Sequence, residues 1–123
     1  MQWLLHGSLS SAVGEALRRR GDRTHERIEA VLPDGAPPLD VLRAAQSRQW
    51  DVVSNDPALV RAPYEAGFAF GRCIVFLQLK GDDVEQDDAI ERLFARYPSP
   101  KPGRLYTVTS NRVKVRQLPR PAA

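Results

Sequence analysis

Cysteine occurs once in this chain, at Cys73. A single thiol can form no internal disulfide and cannot build a cysteine-based zinc site. It lies inside the apolar run Cys-Ile-Val-Phe-Leu-Gln-Leu, which predicts a buried structural thiol rather than a nucleophile. A reducing, cytoplasmic setting fits that usage. Long apolar runs are missing too: none approaches the ~20 residues of a membrane span, so no membrane association is expected. The first residues lack a basic flank followed by a long apolar stretch, so no signal peptide is expected. There is no glycine-rich phosphate loop, no Gly-x-Ser-x-Gly elbow and no His/Cys set at metal-ligand spacing. Internal repeats and low-complexity blocks are likewise absent.

What is present is ordinary for a soluble globular chain. Of 123 residues, 42% are hydrophobic and 27% charged, enough to close one core. A single domain over residues 1–118 is expected, followed by a flexible tail at 119–123 rich in proline and small residues. The formal net charge of +3 permits a polyanionic partner without requiring one.

Periodicity divides the chain into alternating strands and helices. Trp3-Leu4-Leu5 reads as a short buried strand, and residues 8–17 as a helix with Ser8 as its cap and Gly21 beyond its end. A short strand is expected near 24–28 and a second helix over 39–48. Trp-Asp-Val-Val-Ser-Asn-Asp forms the next strand and turn, leading to a short helix with Leu59 and Val60, then a loop holding Pro63, Gly67 and Gly71. The run from Arg72 to Lys80 suits a central strand buried on both sides. Asp82 and Glu85 form a capping-box pattern that opens a helix carrying Ile90, Leu93, Phe94 and Tyr97 inward. Two final strands are joined through Ser110-Asn111. The pattern predicts an α/β fold with a mostly parallel sheet, helices on both faces and a C-terminal β-hairpin.

Several polar groups fall where strands end, the usual place for chemistry in such sheets. His6 and Gly7 follow the first strand, and Ser54, Asn55 and Asp56 follow the third. Asp40 opens the second helix. If His6, Asp40 and Asp56 converge, they could hold Mg²⁺ or Mn²⁺ and activate water against a phosphodiester. Equally, Asp56 and Asp40 can be helix caps, and His6 a hydrogen-bonded polar residue. Basic residues form two groups: Arg18, Arg19, Arg20 and Arg23 around the end of the first helix, and Arg112, Lys114 and Arg116 alternating along the last strand. The second group can track phosphates or protect an exposed sheet edge. The acidic run Asp-Asp-Val-Glu-Gln-Asp-Asp reads as a helix start and a solvated face.

In the order of its parts the chain resembles the small PIN-like nuclease domains of prokaryotes, several of them toxins of toxin–antitoxin pairs. "MQWLLHGSL", "VVSND", "RCIVFLQLKG" and "NRVKVRQLP" carry the resemblance, which covers nearly the whole chain. It implies a three-layer α/β/α fold and a metal-dependent ribonuclease, cytoplasmic, with RNA and a small antitoxin as partners and homo-oligomers allowed. Asp56 matches the family's acid after the strand, and Asp40 the helix-opening acid. The first-strand acid falls on His6, its acidic neighbour on Gly7, and a further acid on Ala58. The implied site is therefore degenerate: Asp56, Asp40 and His6 as metal ligands, Ser54 or Asn55 orienting water or phosphate, and Arg112, Lys114, Arg116, Arg20 and Arg23 along the RNA. Imidazole in place of a carboxylate removes charge and favours Mn²⁺ over Mg²⁺. A non-catalytic binding or regulatory module on the same fold is the alternative, and an unrelated α/β protein needing no metal is a third class.

Overall fold

The structure, a computed structural model, describes residues 1–26, 32 and 35–121. Strands and helices alternate: β1 (Gln2–His6), α1 (Ser11–Arg19), β2 (Arg23–His25), α2 (Pro38–Ser47), β3 (Asp51–Ser54), α3 (Pro57–Ala66), β4 (Ile74–Leu77), α4 (Asp83–Arg96), β5 (Arg104–Val108) and β6 (Val113–Gln117). One six-stranded sheet has the order β2-β1-β3-β4-β5-β6. All pairs are parallel except β5 with β6.

Alternation along each strand sends successive side chains to opposite faces and so makes two cores. Trp3, Val53, Val75, Tyr106 and Val108 pack beneath α1 and α4. Leu4, Val52, Ile74 and Leu105 pack beneath α2 and α3. The result is three layers, α/β/α, with β3 and β4 buried on both faces. The apolar run around Cys73 thus forms a central strand, and the Cys73 thiol is fully buried. Burial, with the nearby Asp51 carboxylate, pushes that thiol well above its ordinary range.

The helices also reveal an unusual connection. From β3 to β4 and from β4 to β5 the chain steps the same way along the sheet, yet α3 and α4 lie on opposite faces. Those two crossovers have opposite hands. The β1–α1–β2 and β2–α2–β3 units share the hand of β3–α3–β4, so with the usual right-handed rule the β4–α4–β5 unit is left-handed. Contacts from β1 and from α1 and its C-terminal cap hold α4 there. The Trp3 and Phe94 rings meet edge to face at 6.1 Å, and the Arg20 guanidinium lies 3.4 Å from the centre of the Phe94 ring. Arg19 pairs with Asp87 at 2.7 Å.

Local expectations are corrected at three places. The first helix is capped by Ser10, which accepts from the Ala12 N–H, and not by Ser8. Pro63 lies inside α3, not in a loop. It lacks only its own amide, and the turn beyond closes on its carbonyl, which accepts from Gly67 and Phe68. Of the strand expected over 24–28, β2 covers Arg23–His25, and residues 27 and 28 lie outside the described residues. At the opposite edge of the sheet from His6, a cavity of about 210 Å³ is lined by Phe70, Pro102, Leu118 and residues 119–121.

Candidate functional site

The sheet order reverses at β1: the chain goes from β1 to β2 on one side, then returns past β1 to β3 on the other. In open α/β sheets the crevice at such a reversal, beyond the carboxyl ends of the strands, is the usual ligand site. Here it lies between β1 and β3. Parallel register sets His6 opposite Ser54, and both side chains lie on the α2/α3 side, in phase with Leu4 and Val52.

His6 Nδ1 and Ser54 Oγ are 2.9 Å apart, and Ser54 Oγ accepts the Asp56 N–H at 3.0 Å. Ser54 is fully buried. In the tautomer in which the Ser54 hydroxyl donates to Nδ1, the imidazole proton lies on Nε2. Burial lowers the His6 pKa from its ordinary 6.5, against a smaller opposing pull from the Asp56 charge. The Asp56 carboxylate accepts from the Ala58 N–H at 2.9 Å and caps α3, with Pro57 at the first helical position.

Asn55 is held as firmly. Its side-chain oxygen accepts from the Ser8 N–H at 2.9 Å, and its amide donates to the Ser8 carbonyl at 3.0 Å. This two-point clamp joins the β1–α1 and β3–α3 loops. It also explains Gly7, whose φ is +90° and where an added Cβ would collide with the Asn55 side-chain oxygen. A carboxylate-bearing residue at position 7 would have to displace the Asn55 side chain from its clamp and hold a left-handed backbone.

Asp40 does not join this group. It lies on the first turn of α2, its side chain 49% exposed, and pairs with Arg43 at 3.5 Å. Among the described residues, no three His, Cys, Asp or Glu side chains stand together as a group that could hold a metal ion. The expected convergence of His6, Asp40 and Asp56 is thus corrected. Asp40 points its charge along its own helix, where i,i+3 pairing and the helix N-terminus both favour it. The remaining donors do not fit Mg²⁺, which takes oxygen ligands in near-octahedral array. One carboxylate already caps a helix, and the imidazole is held at Nδ1 by the Ser54 hydroxyl. Ser54 and Asn55, expected to orient water or phosphate, spend their polar atoms within the protein.

The two basic groups have different fates. Around the end of α1, Arg18 donates to Thr24, Arg19 pairs with Asp87 and Glu91, and Arg20 stacks on Phe94 while approaching Asp22 at 3.6 Å. These side chains fasten α1 to its neighbours; Arg23 stays exposed at the start of β2. On β6, Lys114 and Arg116 share an exposed face as alternation predicts, whereas Arg112 precedes the strand. Sequence reasoning missed Asp51, 2% exposed, which accepts from the Cys73 N–H at 3.0 Å and from Arg72 at 3.1 Å. Its signal was a carboxylate inside an apolar strand, legible only with the Arg72 partner in view.

No family model, no curated protein and no solved structure matches this chain. No helix among the described residues is long and apolar enough to cross a membrane.

Proposed function

We propose that this chain is a non-catalytic module built on a PIN-like nuclease fold, its ancestral metal corner refilled by hydrogen bonds. The observation that carries this reading is the Ser54 hydroxyl, which ties His6 to the backbone of Asp56 while the Asp56 carboxylate caps α3. Residues that in a nuclease of this lineage would face a metal instead hold two loops together. The role that remains is binding or regulation.

A second reading is a metal-dependent ribonuclease, toxin-like and neutralised by a small antitoxin, with a weakened site. It is favoured by the electrostatic pull of Asp56 on His6 across the crevice. In that reading Mn²⁺ would be held by Asp56 and His6, and RNA would run along Arg23, Arg112, Lys114 and Arg116.

Calorimetric titration with MnCl₂ and MgCl₂, beside an RNA cleavage assay, separates the two. For the module, the unaltered protein gives no Mg²⁺ binding and no cleavage, and His6→Asp gains measurable binding by restoring an oxygen donor. Mg²⁺- or Mn²⁺-dependent cleavage that Asp56→Ala abolishes would establish the nuclease. Circular dichroism accompanies the Asp56→Ala measurement, since loss of the cap costs about 1 kcal/mol.

A further inference from the structure

β6 is the outer strand of the sheet, and its free side is unpaired. Two bonds fix the phase of the β5–β6 ladder: Thr109 N–H to the Arg112 carbonyl at 2.9 Å, and Leu118 N–H to the Gly103 carbonyl at 3.0 Å. In an antiparallel ladder of that phase, Lys114 and Arg116 direct their backbone groups at β5, while Val113, Val115 and Gln117 direct theirs outward. The Gln117 carbonyl accepts the Tyr64 hydroxyl at 2.9 Å. Among the described residues, the outward N–H and C=O groups of Val113 and Val115 have no partner.

The side chains add charge to this open edge. Lys114 stands opposite Thr107 and Arg116 opposite Leu105, both exposed on the α2/α3 side. The Arg116 guanidinium lies 4.0 Å from the centre of the Tyr64 ring, so the residue that ends the free edge also fixes the cation. Among the described residues, no carboxylate pairs with Arg112, Lys114 or Arg116. Val115, between the two cations, is 37% exposed on the other face.

We propose that β6 receives an extended acidic segment of a partner protein as an added antiparallel strand. Its main chain bonds the outward groups of Val113 and Val115, and carboxylates two residues apart lie opposite Lys114 and Arg116. The charges argue against a second copy of this chain. Two-fold pairing about Val115 would set Lys114 directly against Arg116 of the other copy, and like charges directly opposed destabilise a strand pair. They also argue against RNA as the better occupant. Phosphates would use the cations but leave the outward carbonyls without donors.

The probe is a fluorescein-labelled peptide, Thr-Glu-Val-Glu-Val-Glu-Thr, followed by anisotropy with the full chain, together with amide exchange by NMR. Saturable binding is expected, weakened about tenfold or more by the Lys114→Glu/Arg116→Glu double variant and by raised salt. The Val113 and Val115 amides should exchange about tenfold more slowly in the complex, because only there do they gain acceptors. Val115→Pro removes one outward donor while sparing the β5 ladder and should abolish binding. If that variant does not fold, the double charge reversal on the surface still decides. The proposal is overturned if the peptide fails to bind, if it binds the double variant equally well, or if the two amides exchange unchanged. It is also overturned if a labelled oligouridylate binds β6 and the peptide does not, or if self-association of the chain protects these amides.

Discussion

Ser54 is a small residue with a large share in the crevice, because its one hydroxyl serves both a side chain and a backbone amide. Its neighbour His6 is the group there whose charge changes near neutral pH, and burial holds its pKa below the ordinary 6.5. The unfolded chain therefore binds that proton more readily than the folded one. Stability from neutral His6 is complete above the unfolded pKa of about 6.5 and is lost as pH falls through that value towards the folded one. Urea midpoints measured from pH 8 to 5 should fall on the acid side, and His6→Asn should remove that part of the fall. Parallel profiles for the two proteins would contradict the assignment. At this scale the sequence was half legible. His6, Ser54, Asn55 and Asp56 could be placed together because each follows a strand. That Asp40 stands apart could not, since rotation of a helix face by one residue decides whether a carboxylate meets the crevice or the solvent. Nor could the clamp of Asn55 on Ser8, a contact between residues 47 apart in sequence.

Elements were easier to place than their ends. α2 begins one residue before its expected start and ends one before its expected end, because Pro37-Pro38 and the Val41, Leu42, Ala45 stripe leave little choice. α1 starts later than expected, since both Ser8 and Ser10 can cap and only the Asn55 contact withdraws Ser8 from the helix. α3 runs past Pro63, which the sequence places in a loop, because the proline forfeits its own amide bond while its carbonyl still accepts from Gly67 and Phe68. The true stop is Gly67, in the left-handed region at φ +60°, with nothing within 4 Å of an added Cβ. Gly67→Ala therefore meets no steric neighbour and isolates the backbone term. It should lower stability by about 1 kcal/mol without altering the fold, read as a shift in the urea midpoint at unchanged slope. A neutral or stabilising result would mean that the C-terminal turn of α3 rearranges.

At the scale of the whole molecule, the alternation of strand and helix sufficed for an α/β sheet with a terminal hairpin, but not for the face each helix takes. That choice is made by partners distant in sequence. Phe94 joins Trp3 and Arg20 where α4 meets α1, and it is 7% exposed. Phe94→Ala should cost about 3 kcal/mol or more and lower the unfolding midpoint accordingly. A loss no greater than that of an exposed residue would show that α4 is held by its own loops. The left-handed turn through α4 has a further meaning. Residues 74–108 contain two strands, a helix and their connections, and the Tyr97–Tyr106 ring contact at 5.2 Å is the tie within that stretch that marks the helix's side of the sheet. Its apolar stripe would cover either face, and the common hand would be the cheaper route. The other ties reside some 70 to 90 residues earlier, on β1 and α1, so an excised copy of the segment would carry the fold pattern with most of the support for its hand removed.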